Sequence, residues 1–314
     1  MRRVRNGAMH LVVAAVAALT LLPFVFVLNN SFRTNSEIYH SFFGLPNALK
    51  DMAQAGGAAL RGRETAFPVD AGNGDIIAAA PDEALARFGA IAVKGYRMAW
   101  RVIRPYMLNT FFVCAVTVLG VGLLGSMSAY VLSRYRFPGS KAVFIYIVST
   151  MMFPGVLTLV PSFLLVKQLG LLNTYWAMIL PYIAGGQVFA TFVFKSFFDG
   201  LPEDLFESAR IDGAGHFQIY VNLVVPLSKP VLAVVMIMNI LSTWNNFLWP
   251  FITNIDGRHH VIASGLYVLA TSPHASNMST LFAAYMASSV PLLLLFIYAT
   301  KPFIQGVTSG AFKA

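Results

Sequence analysis

Six long stretches of this sequence contain no aspartate, glutamate, lysine or arginine. Each can hold a helix of about 20 residues, which is the length that crosses a lipid bilayer. The stretches are continuously apolar, whereas the strands of a membrane β-barrel would alternate apolar and polar positions. We therefore expect an all-α polytopic membrane protein with six transmembrane helices, within the runs Gly7 to Phe32, Pro105 to Ser133, Ala142 to Val166, Gln168 to Phe194, Pro230 to Ile255 and Val261 to Thr300.

The composition excludes an ordinary soluble domain, because 57% of the 314 residues are hydrophobic and only 11% are charged. Basic residues precede the first uncharged run, so that run could be a signal peptide. Its apolar part is longer than the usual signal core of about 7–15 residues, and Asn29 to Phe32 lacks a small-x-small cleavage pattern. We expect an uncleaved first span. The single Cys114 lies within a span and indicates packing only.

The basic residues predict the orientation, because cytoplasmic loops of membrane proteins are enriched in lysine and arginine. Every second short loop carries such residues, so we expect both termini and the segment Leu201 to Pro226 to be cytoplasmic. The net charge of +9 then requires no nucleic-acid partner. The basic residues used here are Arg2, Arg3, Arg5, Arg134, Arg136, Lys141, Lys195, Arg210 and Lys229.

The expected organisation has three parts: residues 1–32 with the first span, an extracytoplasmic loop over residues 33–104, and a core of five spans over residues 105–314. Within the loop, Gln54 to Ala90 is rich in alanine and glycine and shows no sustained apolar face. We expect an irregular or partly helical excursion there, without a domain of its own. Gly95 to Arg104 is rich in basic and aromatic residues and predicts an interfacial helix.

The segment Leu201 to Pro226, called the handle below, is the polar interruption between two apolar runs. Pro202 and the acids after it favour the start of a helix, and Gly213 favours its end. A second helix is expected from Gly215 to a stop at Pro226. On the first helix, the face predicted to lie on the protein contains Leu205, Phe206 and Ala209.

The handle also carries a spaced motif. Glu207, Ser208 and Ala209 are followed after three residues by Gly213 and after nine more by a segment ending in Pro226. This resembles the EAA loop of ATP-binding-cassette (ABC) importer permeases, with Ser208, Leu223 and Val225 as mild departures. The resemblance implies a coupling helix that enters a cleft of a cytoplasmic ATPase, through Glu207, Ser208, Ala209, Arg210, Asp212, Gly213 and Pro226. The alternative is an ordinary connector with glycine and proline stops.

Further motifs extend this resemblance, in order, over the chain from Asn109 onward. They resemble the carbohydrate, maltose-type branch of the family, which implies a bacterial inner-membrane location, a homologous second permease, an ATPase dimer, an extracytoplasmic solute-binding protein and a sugar substrate. ATP and magnesium would be bound by the ATPase, and no cofactor by this chain. The motifs are Asn109-Thr110, Ala129-Tyr130, Phe137-Pro138-Gly139, Gly170 to Thr174, Leu180-Pro181-Tyr182, Trp244 to Phe247 and a tail at Gln305 to Lys313.

Two other classes of protein remain open at this stage. The sequence has no G-x-x-x-x-G-K-[ST] loop, so ATP hydrolysis would need another subunit. A secondary transporter usually places ionisable residues within its spans, which the six runs lack, although sodium coupling through neutral oxygens stays possible. A membrane-embedded enzyme would need a catalytic motif. The six histidines form no H-E-x-x-H, and the pair His259-His260 is more typical of a solvated loop.

Uncharged polar and aromatic residues within spans are the candidates for the substrate path, because they could hydrogen-bond or stack on a sugar. The alternative for each is interhelical packing or an interfacial position. Outside the membrane, Val261 to Ser279 predicts a short helix at Leu266 to Leu269 and a tip at Thr271 to Asn277 that either contacts a partner or is a plain connector. The path candidates are Gln187, Asn239, Trp244, Asn245, Asn246 and Tyr285.

Overall fold

The computed structural model describes residues 2–63, 65–70, 76–271 and 277–311, and within these ranges it describes side chains between residues 9 and 300. The chain is almost entirely helical. The helices are α1 Arg2–Ser31, α2 Asn35–His40, α3 Asn47–Leu60, α4 Pro81–Ala92, α5 Lys94–Arg134, α6 Ser140–Ser149, α7 Gly155–Gln168, α8 Trp176–Asp199, α9 Glu203–Ile211, α10 His216–Ile219, α11 Val225–Leu227, α12 Lys229–Asn245, α13 Leu248–Thr253, α14 Ile262–Thr271 and α15 Met278–Ala311.

Four helical segments of the described chain are long and apolar enough to cross a membrane, namely Met9–Ser31, Pro81–Arg134, Trp176–Asp199 and Met278–Thr300. Two bent pairs of helices bring the number to six when each pair is one span. This agrees with the six expected spans. Gly95 to Arg104, expected as an interfacial helix, is the first part of the continuous helix α5.

The first of the two bends has a local cause in the sequence. The third expected span breaks by 100° after the 3-10 turn Thr150–Met152, where Pro154 precedes α7. Proline disfavours helix in the residue before it, which accounts for the break. The second bend, of 77° at Ser228, lies before the expected fifth span and joins His216–Leu227 of the handle to α12. The run Pro230 to Ile255 itself contains most of α12 and the short helix α13. Pro161 and Pro181 instead lie inside the uninterrupted helices α7 and α8.

Internal contacts divide the chain into two units, one of residues 1–104 and 266–290 and the other of residues 105–265 and 291–314. In the second unit, α5 and α8 approach closely. A Cβ added to Gly125 would lie 2.6 Å from the Cβ of Ala190, so the glycine is required there for the contact. Around this contact the buried core includes Val121, Ala129 and Phe194.

The excursion in the first unit is more ordered than expected from the sequence. Strands β1 Phe67–Asp70 and β2 Ile76–Ala79 form an antiparallel hairpin, and α3 packs on α4. The expectation of an irregular segment relied on the shortage of large apolar side chains. Alanines replace them, because small side chains allow the two helices and the hairpin to pack closely. The core of this part contains Ala55, Val69, Ala79, Ala84 and Phe88.

Candidate functional site

The first helix of the handle, α9, ends where the motif places its glycine. Gly213 has φ +79°, a left-handed conformation that glycine adopts without a steric penalty. The turn is closed by the amide of Ala214, which donates to the carbonyl of Ala209 at 3.0 Å. A Cβ at Gly213 would meet no atom within 4 Å. The glycine therefore serves the backbone conformation, and there is open space for a larger residue.

The face of α9 that lies on the protein is narrower than predicted. Phe206 is 1% exposed, whereas Leu205 is 39% exposed. The prediction was therefore wrong for Leu205, because a helix of nine residues buries a single large side chain here. Ala209 is half-buried and packs against the same core.

Phe206 is held by an arginine that the sequence reading used only as an orientation signal. The Arg134 guanidinium carbon lies 3.7 Å from the centre of the Phe206 ring, and its side chain is 8% exposed. Its Nη2 donates to the carbonyls of Phe198 and Leu201 at 2.5 and 3.1 Å, and its Nη1 contacts the Glu203 carboxylate at 2.6 Å. Arg134 thus joins the end of α5 to the end of α8 and the start of α9. We call Arg134 and the four residues that it contacts the arginine clamp; those residues are Phe198, Leu201, Glu203 and Phe206.

The second half of the handle differs from the expected single helix. It consists of α10, a π-helical segment Tyr220–Val224 and α11, so Pro226 lies inside a helical stretch that continues to Leu227. This stretch ends at Leu227, one residue after Pro226, and the chain bends at Ser228, so the expected stop at Pro226 is met to within one residue. The Tyr220 hydroxyl lies 2.7 Å from Ser126 Oγ, which ties the π segment to α5.

The motif residues of α9 and its turn face outward. Glu207, Ser208, Arg210 and Asp212 are exposed, and so is Pro226. Glu207 forms no ion pair with any residue that the structure describes. Ile211 is 86% exposed, which leaves a large apolar side chain uncovered at the end of the same helix. A polar face with one uncovered apolar residue, fixed to the protein from beneath, is a surface suited to a protein partner.

The six candidates for the substrate path have separate environments. Asn239 is 9% exposed and donates to the Val235 carbonyl at 3.0 Å, and Trp244 packs edge-on against Phe111 with ring centres 5.3 Å apart. Asn246 Oδ1 accepts the Trp249 amide at 3.3 Å. These contacts are structural for Asn239, Trp244 and Asn246. Gln187 is half-buried, Asn245 and Tyr285 are exposed, and Tyr285 belongs to the first unit.

A second polar cluster lies in the same unit as the handle. Asn109 Nδ2 donates to the carbonyls of Arg258 and His260, each at 2.9 Å, and its Oδ1 accepts the Tyr175 hydroxyl at 2.7 Å. The Ile262 amide donates to Thr110 Oγ1 at 2.7 Å. We call Asn109, Thr110, Asn173, Tyr175 and His260 the polar hub. It explains why the Asn109-Thr110 motif opens a span: both side chains bind backbone groups of a distant loop.

Asn173 connects the hub to the loop at Ile255 and Asp256. It has φ +58°, and its Oδ1 accepts the amides of Ile255 and Asp256 at 2.7 and 3.2 Å. Asparagine tolerates this left-handed conformation better than most residues. The Gly170 to Thr174 motif therefore places an asparagine where one loop must bind another.

His260 is the hub residue whose titration changes on folding. It is 5% exposed, and its Nδ1 lies 3.2 Å from Ser264 Oγ. Burial lowers the pKa of His260 below its usual range, and the Asp256 carboxylate opposes that shift only in part. In the part of the chain that is described, no group of three His, Cys, Asp or Glu side chains is placed to hold a metal ion. The expectation of a solvated pair was wrong, because His260 is buried and His259 packs edge-on against Tyr175 with ring centres 4.7 Å apart.

Two predicted regions are only partly covered. Helix α14 includes Leu266 to Leu269, as expected, while residues 272–276 of the predicted tip lie outside the described residues. The tail Gln305 to Lys313 has described backbone to residue 311 but no described side chains.

Comparison with known proteins gives consistent relatives. The family described as "Binding-protein-dependent transport system inner membrane component" matches residues 121–309. The diacetylchitobiose uptake system permease protein NgcG of Streptomyces coelicolor is 30% identical over 97% of this chain and 88% of its own length. The arabinooligosaccharides transport system permease protein AraQ of Halalkalibacterium halodurans is 36% identical over 65% of this chain and 72% of its own length.

A solved structure shares the fold. A chain of a bacterial ABC transporter involved in the import of the acidic polysaccharide alginate superimposes with a TM-score of 0.72 and 19% identity, covering 95% of this chain and 96% of that chain. The family match covers more than half of this chain, and the NgcG match covers almost all of it. The chain therefore belongs to the family of binding-protein-dependent transport system inner membrane components, the permease subunits of ABC importers.

Proposed function

We propose that this chain couples ATP hydrolysis in a separate ATPase dimer to the import of a sugar or oligosaccharide, with α9 as the coupling helix. The observation that carries the proposal is the contrast between the two sides of α9. Phe206 is buried beneath Arg134, while Glu207, Ser208, Arg210 and Asp212 are exposed. One side fixes the helix to the permease and the other is open to a partner.

The arginine clamp supplies the mechanical connection. A partner that moves α9 also moves the ends of α5 and α8, because Arg134 is bonded to α5 covalently and to the α8–α9 junction by hydrogen bonds. The handle returns through the π segment, which Tyr220 ties to α5 at Ser126. Motion of the ATPase would therefore reach two spans together, and alternating access needs such a collective motion.

Sugar as the substrate class is supported by the relatives and by the polarity of the spans. NgcG and AraQ are named for oligosaccharide uptake. Neutral hydroxyls pair with neutral hydrogen-bonding side chains and stack on aromatic rings. Gln187 and Tyr285 are the path candidates whose side chains make no described hydrogen bond, and we prefer them over Asn239, Trp244 and Asn246. Asn245 is exposed and donates to the Leu241 carbonyl at 2.9 Å, as Asn239 does to Val235.

The partners follow from the same proposal. A homologous second permease would complete the pathway, an extracytoplasmic solute-binding protein would deliver the sugar, and the ATPase dimer would bind ATP and magnesium. The basic loops support an orientation with both termini and the handle in the cytoplasm. The coupling surface then comprises Glu207, Ser208, Ala209, Arg210, Asp212, Gly213 and Pro226.

Copurification from native membranes tests the assembly. The tagged chain, extracted in mild detergent and analysed by mass spectrometry, is expected to bring down a second permease, an ATPase and a solute-binding protein. Reconstituted with them, it should import a sugar only when ATP is supplied. Sugar import by this chain without an ATPase, driven by an ion gradient, would contradict the proposal and identify a secondary transporter.

A further inference from the structure

A cavity in the first unit has the features of an anion site. Its volume is about 170 Å³, and it lies among the segments that follow α1, begin α5 and begin α15. Two of the lining residues are cationic and the lining contains no acid. The lining residues used below are Arg33, Lys94, Asn277, Ser279 and Thr280.

Arg33 is a buried charge that has no counter-ion among the residues that the structure describes. It is 2% exposed, and no described carboxylate lies within ion-pair distance of it. Its Nη1 donates to Asn30 Oδ1 at 2.7 Å and to the Phe42 carbonyl at 3.1 Å, and its Nη2 donates to the carbonyls of Glu37 and Ser41. Dipoles therefore solvate the guanidinium, and no described carboxylate forms an ion pair with it.

Glu37 is near in sequence, and its carboxylate is committed elsewhere. Oε2 accepts the amide of Thr34 at 2.8 Å and Oε1 accepts the amide of Asn47 at 2.9 Å. The carboxylate is thus used to cap α2 and to fix the following loop. Neither oxygen of this carboxylate forms an ion pair with Arg33.

Two buried polar atoms of the cavity lining have no hydrogen-bond partner. Arg33 Nε and Thr280 Oγ1 are both enclosed and unpaired in the part of the chain that the structure describes. Thr280 is 7% exposed. A buried polar group without a partner is unfavourable, so two of them around one cavity indicate that something else satisfies them.

The start of α15 adds to the positive potential. Its first turn contributes Ser279 and Thr280 to the cavity lining. The Ser279 amide donates to Asn35 Oδ1 at 3.0 Å, and the Thr280 amide donates to Asn277 Oδ1 at 3.1 Å. This end of a 34-residue helix is the positive end of its dipole. Lys94 is exposed at the cavity and has no ion-pair partner among the described residues.

We propose that this cavity binds a small oxyanion of the carboxylate class, held by Arg33, Lys94 and Thr280. A carboxylate supplies the missing counter-charge for Arg33 and accepts from the unpaired Thr280 hydroxyl. The carboxylate belongs either to a free anion or to an acidic side chain of the solute-binding protein. The site itself does not depend on the proposed import function.

Acetate is the probe for the site. The transporter is reconstituted in uncharged lipid, and its thermal unfolding is followed while sodium acetate replaces sodium chloride at constant ionic strength. The unfolding temperature is expected to rise with acetate in the wild type and in the control Arg97→Gln, which removes an exposed charge of the same helix outside the cavity lining. Lys94→Gln and Thr280→Val should each weaken the apparent acetate affinity by about tenfold, the loss expected for one charge-assisted hydrogen bond.

A second measurement, the affinity of the transporter for the solute-binding protein, distinguishes the two sources of the carboxylate. In acetate-free buffer, a solute-binding protein that supplies the carboxylate should bind the Lys94→Gln transporter about tenfold more weakly than the wild type, and the Arg97→Gln transporter equally well. Equal binding by both variants, together with the acetate effect, assigns the site to a free anion. The absence of an acetate-dependent shift in the wild type, or an equal shift in all three variants, would overturn the proposal whether or not the chain transports sugar.

Discussion

The handle and the polar hub are both rich in polar residues, yet the two regions use them in opposite ways. In the hub, the Tyr175 hydroxyl donates to Asn109, which itself donates to two backbone carbonyls and is 9% exposed. On the handle, Glu207 and Asp212 face solvent. Polar groups that satisfy one another hold a structure together, whereas exposed groups remain available to a partner. We infer that the hub maintains the permease and that the handle communicates with the ATPase.

The largest effect on stability is expected at Phe206, the buried residue that fixes the exposed helix α9 to the permease. Phe206→Ala removes a fully buried ring and the platform for Arg134, so it should destabilise the permease by about 3–5 kcal/mol. Thermal unfolding of the purified transporter measures this. Leu205→Ala is the matched control, because that side chain is substantially exposed and its loss should change stability little. Equal effects of the two substitutions would contradict the anchoring role of Phe206.

A smaller loss of stability is expected from the hub. Asn109→Ala removes three hydrogen bonds and leaves the carbonyls of Arg258 and His260 without this donor, which should cost about 2–3 kcal/mol. Asn245→Ala, which changes an exposed asparagine, provides the comparison in the same unfolding assay. If Asn109→Ala abolished ATPase coupling at unchanged stability, the assignment of the hub to a structural role would fail.

At the turn of the handle, a side chain at position 213 should lower stability through backbone strain, because there is space for its atoms. Gly213→Ala places a side chain in a left-handed conformation, at a cost of about 1–2 kcal/mol, although there is space for it. We expect sugar-stimulated ATP hydrolysis and uptake to separate in Gly213→Trp, which adds bulk on the exposed side, while membrane insertion is retained. Normal uptake with normal stimulated hydrolysis in Gly213→Trp would show that the turn is not part of the coupling surface.

The smallest effect is expected from pH at the hub. Folding lowers the pKa of His260, so the unfolded chain binds more protons than the folded chain at mildly acidic pH. The stabilisation is complete above the ordinary value of 6.5 and is lost as the pH falls below it toward the lowered pKa. His260→Gln should remove this component from the pH dependence of the unfolding temperature. A pH profile unchanged by His260→Gln would contradict the burial of a neutral imidazole.

The handle could be predicted from the sequence more completely than the polar hub. The handle could be located because its helix, glycine and proline follow one another along the chain. The hub could be found only as motif fragments, since Asn109 and the carbonyl it binds at His260 are 151 residues apart. The clamp was missed because a basic residue at the end of a span is also what orientation requires, and no local pattern separates Arg134 from Arg136.

The excursion shows a different limit of sequence reading. Its helices pack through Ala55 and Ala84, and alanine gives little apolar signal in a sequence although it permits the closest contacts. Similarly, Leu205 and Phe206 are adjacent and both apolar, yet only Phe206 is covered, by a core that includes Phe198 and by the Arg134 guanidinium. Burial on a short helix thus depends on residues that are distant in the sequence.

The central claim, that the exposed face of α9 contacts the ATPase, can be measured by crosslinking. The chain contains one cysteine, so Cys114→Ser gives a background for single new cysteines. In the assembled transporter, Ser208→Cys on α9 is expected to crosslink to the ATPase, whereas Ile255→Cys, 74% exposed in a loop that contacts the hub, should not. Failure of Ser208→Cys to crosslink in a transporter that still hydrolyses ATP, or crosslinking of Ile255→Cys to the ATPase, would contradict the account.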